Sequence, residues 1–285
     1  MKIAVFGEIG QVATELQRQT PKGVDLITVD RDSAEFLAPD QVYNAAMALR
    51  ADAIINAVGY TAVDKAEEER SQSDAVNGAS VGALAQACAE KEIPLVHIST
   101  DYVFDGRGDA PQQPDNATNP LGQYGRSKLL GETLIRENNA RHAILRTSWV
   151  FSAHGANFVK SMLRLGVEHE KLTIVSDQIG GPTPAVAIAD ALFTVASSMA
   201  DGHPGGTYHF AGEPDASWAD FAREIFQQAN LATCVIGIPT TDYPTPAQRP
   251  LNSRLDCESL LRDFGIARPD WRAGLSDVLK ELQAK

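Results

Sequence analysis

The chain has 285 residues, 44% of them hydrophobic, and a formal net charge of −12 at neutral pH. This length suits one large α/β domain or a core domain with a smaller appended one. The acidic balance argues against nucleic-acid binding, which needs a cationic surface. No apolar run is long enough to span a bilayer, and the opening MKIAVFGEIG does not resemble a signal peptide, so we expect a cytoplasmic protein without membrane contacts. The cysteines, Cys88, Cys234 and Cys257, are too widely spaced to predict a disulfide framework or a zinc motif.

Short apolar runs alternate with amphipathic segments through the first half of the chain. In chain order, the predicted strands are KIAVFG, VDLITVD, ADAIINAV, IPLVHIST and RHAILRTSWVF. The helices predicted between them are QVATELQRQT, QVYNAAMALR, DAVNGASVGALAQACAEKE and SKLLGETLIRENN. This alternation predicts an α/β fold with a parallel, doubly wound Rossmann-type sheet and right-handed crossovers. We therefore assign residues 1–150 to a dinucleotide-binding domain.

The second half of the chain is less regular. Its predicted helices are ANFVKSMLRLGVEH, AVAIADALFTVASSMA, WADFAREIFQQAN and GLSDVLKELQA, and its predicted strands are KLTIV and GTYHFAG. A proline-rich loop, PTTDYPTPAQRP, separates the last helices. Shorter strands and longer loops predict a smaller C-terminal substrate-binding lobe over residues 151–285, with segments near 171–200 returning to the first domain.

The first predicted strand ends in a glycine turn, GEIGQVA, which opens the first helix. Gly7 and Gly10 permit a tight turn and the close approach of a pyrophosphate to the helix N-terminus. The pattern G-x-x-G-x-x-A ends on Ala13, which is small enough for close helix–strand packing. Asp30 closes the second strand, where an acidic side chain would accept the ribose hydroxyls, whereas Arg31 could meet a 2′-phosphate. The turn therefore predicts a dinucleotide site and leaves the choice between NADH and NADPH open.

Two further stretches place polar side chains near the carboxyl end of the predicted sheet. HISTDYVFDG ends the fourth strand with Thr100, and QYGRSKLLGE puts Tyr124 and Lys128 on one helical face. Taken alone, the Tyr–Lys pair is more simply the start of a surface helix. Because ligands bind beyond the carboxyl ends of such strands, we expect Thr100 and Tyr124 to meet over a nicotinamide. Tyr124 would then donate a proton to the developing alkoxide and Thr100 would hydrogen-bond it, while Lys128 binds the cofactor ribose and lowers the pKa of Tyr124.

Taken together, these motifs resemble the extended short-chain dehydrogenase/reductase family, almost end to end. The similarity is carried by GEIGQVATELQ, INAVGYTAVDKAE, STDYVFDG, YGRSKLLGE, RTSWVF, NFVKSML, DQIGGPT and RPLNSRL. Several of these motifs are specific to a nucleotide-sugar reductase branch of that family. The resemblance implies reduction of the C4 keto group of a dTDP-linked deoxysugar by hydride transfer from NADPH or NADH, in the synthesis of lipopolysaccharide or cell-wall polysaccharide.

The resemblance also implies the residues of the site. It assigns catalysis to Thr100, Tyr124 and Lys128, cofactor contacts to Gly10, Gln11, Val12, Asp30, Gly59, Tyr60 and Thr61, and substrate contacts to Thr100, Asp101 and Trp149. Trp149 is alternatively a half-buried strand aromatic, although a flat ring also suits a sugar face. Arg249 and Arg254 are candidate partners of the nucleotide diphosphate, with solvated loop arginines as the alternative. The segment SAEFLAPDQ departs from the family pattern, so the adenine contacts stay open.

Three rival functions share parts of this pattern. Dehydratases on the same fold carry a Thr-Asp-Glu run after the fourth strand, and epimerases share the fold; here the run is Thr100, Asp101 and Tyr102, so the elimination glutamate is missing. A non-catalytic subunit, like the β subunit of methionine adenosyltransferase, would not need the intact Tyr124 and Lys128. A nucleotide-sensing transcription regulator would need a DNA-binding surface that this acidic chain does not show. Reduction is favoured.

Metal dependence is a separate expectation. Some members of the family join two subunits through magnesium held by glutamates, one of them directly after a Pro-Thr-x-Ala run. In this sequence Val186 follows that run, and a valine offers no oxygen to a hard cation. Glu15 and Glu281 alone would hold the ion weakly. We therefore expect a metal-independent enzyme, monomer or homodimer, whose association does not respond to EDTA.

Overall fold

The computed structural model describes residues 1–138 and 141–284. Its strands are β1 (Lys2–Phe6), β2 (Asp25–Val29), β3 (Ala53–Asn56), β4 (Leu95–Thr100), β5 (His142–Thr147), β6 (Val150–Phe151), β7 (Lys171–Val175), β8 (Ile179–Gly180), β9 (Thr183–Pro184), β10 (Gly205–His209), β11 (Ala216–Ser217), β12 (Cys234–Ile238) and β13 (Asn252–Ser253). Its α-helices are α1 (Gln11–Arg18), α2 (Pro39–Ala48), α3 (Val63–Ala66), α4 (Arg70–Asp74), α5 (Ser80–Glu90), α6 (Gln123–Asn138), α7 (Phe158–Glu168), α8 (Ala185–Ala200), α9 (Trp218–Gln228), α10 (Glu258–Phe264) and α11 (Trp271–Gln283).

Six parallel strands form the central sheet, in the order β10-β5-β4-β3-β1-β2. The chain winds outward from β1 in both directions, which makes the sheet doubly wound and creates a crevice beyond β1 and β3. Helices α1 and α8 cover one face, and α2, α5 and α6 cover the other. Strands buried on both faces read as continuous apolar runs, and Ile3, Ala4, Val5 and Phe6 are accordingly all fully buried. The predicted fold class is confirmed.

A second hydrophobic cluster holds the smaller lobe together. Its buried side chains come mainly from α7, α9 and α11, and they include Val159, Phe221, Ile225, Trp271 and Leu275. Beside these helices, β7 pairs with β12, and the short strands β8, β11 and β13 form a small sheet. Within the described part of the chain, no helix is both long enough and apolar enough to cross a bilayer.

Three elements differ from those that the sequence predicts. The single strand predicted over RHAILRTSWVF divides into β5 and β6, because Trp149 has a left-handed φ of 49° that breaks the extended ladder. The predicted strand GTYHFAG is β10, which lies at the edge of the central sheet beside β5 and not in the smaller lobe. The long helix predicted before β4 contains a π-helical turn, Ala75–Ala79. The sequence pattern predicts none of the strands β8, β9, β11, β12 and β13, and none of the helices α3, α4 and α10.

Candidate active site

The glycine turn after β1 leaves room for a ligand at the start of α1. Gly7 has a φ of +116°, which favours glycine, and a β-carbon there would lie 3.5 Å from the Cβ of Ala13. The small side chain of Ala13, in α1, therefore packs beside the turn. Gly10 precedes α1 without a side-chain cap, so the first amides of the helix keep their hydrogen-bonding capacity for an anion. This cradle fits a pyrophosphate.

A pocket of about 440 Å³ adjoins this turn, at the carboxyl end of β2. Asp30 lines it and accepts a hydrogen bond from the Ser33 amide at 2.8 Å; the Ser33 hydrogen bonds lower the pKa of Asp30, so the carboxylate is ionised. Arg31 pairs with Glu35, with its Nε 2.6 Å from Oε2. The atypical SAEFLAPDQ segment supplies the wall of the pocket through Ala34, Glu35, Phe36 and Leu37. The pocket suits an adenosine.

A second cleft, of about 610 Å³, continues from the first and shares Gly10 and Gly59 with it. It opens beyond the carboxyl ends of β1, β3 and β4. Its lining contains the predicted residues Gln11, Val12, Tyr60, Thr61, Thr100, Asp101, Tyr124, Lys128 and Trp149. Residues from five separate sequence motifs therefore meet in one cleft.

Thr100 and Tyr124 meet where β4 ends. The Thr100 hydroxyl donates to Asp101 Oδ1 at 3.1 Å and accepts from the Tyr102 amide at 3.2 Å, and it lies close enough to the Tyr124 phenol to influence the pKa of that phenol. Tyr124 lies in the first turn of α6, which can approach β4 closely because a β-carbon at Gly125 would collide with the Tyr102 carbonyl oxygen. The glycine in YGRSK thus positions the phenol.

The proton affinities in the cleft are set mainly by burial. Burial raises the pKa of Tyr124 to about 12, against the lowering effect of the Thr100 hydrogen bond. Burial lowers the pKa of Lys128 to about 8, although the charge of Glu132 favours the ammonium. The expectation that Lys128 lowers the pKa of Tyr124 is wrong in this structure, because desolvation dominates and Lys128 Nζ is turned to the Ile98 carbonyl oxygen at 2.6 Å. Tyr124 is therefore a protonated phenol throughout the neutral range.

Asp101 is a second titratable group in the cleft. Its side chain is buried, and burial raises its pKa to about 6, while hydrogen bonds from Ser253 and Thr100 oppose that rise. The neutral and ionised forms of Asp101 are thus both accessible near physiological pH. A protonated carboxyl donates a hydrogen bond and a carboxylate only accepts, so this group can address a sugar hydroxyl in either state.

Two stacked tryptophans form an aromatic wall in the same cleft. The rings of Trp149 and Trp218 are 3.7 Å apart with an interplanar angle of 14°, and both line the cleft. Trp218 begins α9, whose N-terminus is fixed by a capping box between Ser217 and Asp220. Sequence reasoning missed Trp218, although the Ser-x-x-Asp spacing in SWAD marks a helix start and so the place of this ring. A flat aromatic wall suits the apolar face of a sugar.

The two predicted diphosphate-binding arginines lie outside the wall of this cleft. Arg249 binds the carboxylate of Asp64 with both guanidinium nitrogens, at 2.9 and 2.8 Å. Arg254 donates to Asn252 at 3.1 Å and lies 3.7 Å from Asp215. The structure therefore gives each arginine a protein partner, and a diphosphate contact from either stays a prediction.

An arginine lies between the two glutamates, Glu15 and Glu281, that could hold a metal. Glu15, His154 and Glu281 place one ligand atom each within 4.8 Å of one another. Arg18 NH1 lies 3.0 Å from both Glu15 Oε1 and Glu281 Oε2 and 2.7 Å from His154 Nε2. Val186 lines the same depression. Sequence reasoning missed His154 and Arg18, and the Arg18 guanidinium is hydrogen-bonded to both carboxylates.

A dinucleotide cradle that opens onto a cleft with a hydroxyl, a protonated phenol and a lysine defines a nucleotide-dependent oxidoreductase of the extended short-chain dehydrogenase/reductase class. Residues 1–284 match the family model described as the RmlD substrate binding domain, and the chain belongs to this family.

Named relatives cover nearly the whole chain. A dTDP-4-dehydrorhamnose reductase from Sinorhizobium fredii is 42% identical over 278 residues, covering 95% of this chain and 94% of that protein. The crystal structure of a dTDP-4-dehydrorhamnose reductase from Clostridium acetobutylicum is similar with a TM-score of 0.93 and 33% identity, covering 99% of this chain and 100% of that one. The same enzyme from Bacillus anthracis, in complex with NADP, has a TM-score of 0.92 and 32% identity, covering 98% and 99%.

Proposed function

We propose that this chain reduces the C4 keto group of dTDP-4-dehydro-L-rhamnose to give dTDP-L-rhamnose, with NADPH or NADH as the reductant. It is an NAD(P)H-dependent oxidoreductase of dTDP-rhamnose biosynthesis, as its named relatives are. The observation that carries the proposal is the convergence of Thr100, Tyr124 and Lys128 in one cleft beside the glycine turn. Lipopolysaccharide or cell-wall polysaccharide is the proposed destination of the product.

The proposed roles follow from the geometry of the cleft. NADPH or NADH, when bound, supplies the hydride. Tyr124 keeps its proton at neutral pH and donates it to the oxygen that develops negative charge. Thr100, which lines the same cleft as the phenol, orients that oxygen. Lys128 binds the cofactor ribose, and Asp101 with the tryptophan wall receives the sugar.

The same proposal assigns a different ligand to each of the two parts of the chain. Residues 1–150 bind the dinucleotide, and residues 151–285 mainly bind the nucleotide sugar. Helix α8 and strand β10 belong by packing to the first unit, since they cover and extend the central sheet. We place the reaction in the cytoplasm.

The proposed function is tested by oxidation of NADPH with dTDP-4-dehydro-L-rhamnose, run in parallel with NADH and with other keto-sugar nucleotides. We expect turnover with the rhamnose precursor and a large preference for it over substrates that carry another base or sugar. Product formation without cofactor consumption would instead indicate an epimerase or dehydratase. No turnover with any keto sugar, despite tight NADPH binding, would indicate a non-catalytic subunit.

Replacing Trp149 with alanine is expected to raise KM for the sugar nucleotide more than it changes the affinity for NADPH. The ring lines the cleft and stacks on Trp218, and it is only partly buried against the core of the smaller lobe, so its loss should remove a sugar contact first. Trp149→Phe retains an aromatic face and is the matched control, with a smaller rise in KM. A variant that fails to fold, or that loses NADPH affinity equally, would make Trp149 a structural residue.

Association is expected to be independent of divalent cations, whether the chain is a monomer or a homodimer. Arg18 already forms ion pairs with both Glu15 and Glu281, and Val186 adds no oxygen. Sedimentation velocity and activity should therefore be unchanged by EDTA or added Mg²⁺. Arg18→Ala is the informative variant, because it uncovers the two carboxylates and should make metal binding measurable. A wild-type dimer that dissociates in EDTA would contradict this prediction.

A further inference from the structure

His97 is a buried titratable group to which the proposed reaction assigns no role. It lies on β4, three residues before Thr100, and its side chain is fully buried. Its ring is held between Asn56, at the end of β3, and Lys128 on α6. His97 Nδ1 lies 3.1 Å from Asn56 Nδ2, and His97 Nε2 lies 3.2 Å from Lys128 Nζ.

The orientation of the Asn56 amide is fixed by a backbone group. The Val58 N–H can only donate, and it lies 3.0 Å from Asn56 Oδ1, so that oxygen must be the acceptor. The amide nitrogen therefore faces His97 and donates to Nδ1. Burial, together with the charge of Lys128, holds the pKa of His97 well below its usual value, so the imidazole is neutral. A neutral imidazole that accepts a hydrogen bond at Nδ1 carries its proton on Nε2.

This tautomer directs an N–H, and not a lone pair, at Lys128. An ammonium has three donors and no acceptor, so it cannot accept a hydrogen bond from Nε2–H, whereas a neutral amine can. The ammonium form is supported instead by the Ile98 carbonyl oxygen and by the charge of Glu132 on the same helix. The phenol of Tyr124, also on α6, lines the same cleft. At Lys128 Nζ, the contact with His97 therefore favours the neutral amine, whereas the Ile98 carbonyl oxygen and the charge of Glu132 favour the ammonium.

We propose that His97 is a positioning residue, held by Asn56 in its Nε2–H tautomer, which fixes Lys128 Nζ against β4 and turns an N–H toward it. Through Asn56 and the Val58 amide, this contact also ties Lys128 to the loop of residues 57–59 that lines both halves of the cofactor site. The consequence is an ammonium that is held in place but loses its proton more easily than one facing only acceptors. The inference rests on the proposed role of Lys128.

The test compares His97→Gln with His209→Gln. The glutamine amide can turn its oxygen to Lys128, so the ammonium should persist to higher pH. We expect the alkaline limb of NADPH affinity and of kcat/KM to move upward by about one pH unit, with kcat at neutral pH lowered about tenfold by the displaced lysine. His209 is an equally buried histidine, on β10, whose Nε2 contacts Arg146 at 3.3 Å. We expect His209→Gln to lower the stability of the protein and to leave the alkaline limb of NADPH affinity and of kcat/KM at its wild-type pH.

A measurement on the unmodified protein makes the test independent of folding and of the sugar substrate. Nitrogen-15 NMR of the histidines should show His97 as the neutral Nε2–H tautomer across the neutral and alkaline range. The Nδ1–H tautomer, or equal limbs in the His97 and His209 variants, would overturn the inference. Absence of sugar turnover in the wild type would refute the proposed function alone, because the tautomer and the pH dependence of NADPH binding would still decide the role of His97.

Discussion

Replacing Tyr124 with phenylalanine is expected to lower kcat by about 10²-fold or more while leaving NADPH binding nearly unchanged. A loss of this size corresponds to about 2.7 kcal/mol of transition-state stabilisation. The phenol of Tyr124 lines the same cleft as Thr100 and keeps its proton because burial raises its pKa to about 12. Phenylalanine preserves the ring and its edge contact with Tyr102, whose centroid is 5.5 Å away, so only the proton donor is removed.

Tyr102→Phe is the matched control for this variant. Tyr102 also lines the cleft, and burial likewise raises the pKa of its phenol, but its position beyond Thr100 gives it no part in the proposed proton transfer. Its variant should keep kcat within a few-fold of the wild type. Near-wild-type turnover in Tyr124→Phe, or equal losses in both variants, would refute the assignment of Tyr124 as the proton donor. Pre-steady-state hydride transfer separates the chemical step from product release.

The glycine turn of the candidate cofactor site could be predicted from the sequence, because backbone geometry dictates its residue types. The positive φ at Gly7 favours glycine, and this glycine is visible in a short local motif. The alternation of strands and helices likewise fixes the order in which Thr100 and Tyr124 reach one edge of the sheet. Local rules suffice there.

Features that depend on contacts distant in sequence could not be predicted. Lys128 Nζ contacts the Ile98 carbonyl oxygen and His97 Nε2 on β4, and the helical spacing of Tyr124 and Lys128 does not reveal these contacts. Arg249 is bound by Asp64, which lies 185 residues earlier. The stacking of Trp149 on Trp218 requires the packing of α9 against α7, β7 and β12 in the smaller lobe. In each case the partner is chosen by tertiary packing, which leaves no periodic signal.

A buried ion pair below Lys128 carries the largest expected effect on stability. Glu132 lies one turn further along α6 and is fully buried. It accepts hydrogen bonds from Arg146 Nε at 2.9 Å, from Arg146 NH2 at 2.7 Å, and from the Ser99 hydroxyl. Arg136 NH2 adds a more exposed contact at 2.8 Å. The pair joins α6 to β4 and β5, the elements that carry Tyr124 and Thr100.

Glu132→Gln is therefore expected to lower the free energy of unfolding by about 3–5 kcal/mol, because it leaves Arg146 as a buried charge without a counterion. Arg136→Ala removes a partly exposed partner of the same carboxylate and should cost less than about 1 kcal/mol. The double variant Glu132→Leu with Arg146→Met should regain much of the loss, since it removes both charges. Urea unfolding at neutral pH measures all three, and equal stabilities of Glu132→Gln and Arg136→Ala would contradict the prediction.

The stability difference between the wild type and Glu132→Gln should itself depend on pH. Burial alone would raise the pKa of Glu132, but the hydrogen bonds and charge of Arg146 outweigh it, so the folded-state pKa lies below its usual value. A group with a depressed folded pKa contributes stability above its unfolded pKa, about 4.3 for a glutamate, and loses it as the pH falls through the folded value. The gap in unfolding free energy should be constant near neutral pH and should shrink only in acid. A gap that stays unchanged through the acid range would assign the effect to hydrogen-bond geometry and not to the charge of Glu132.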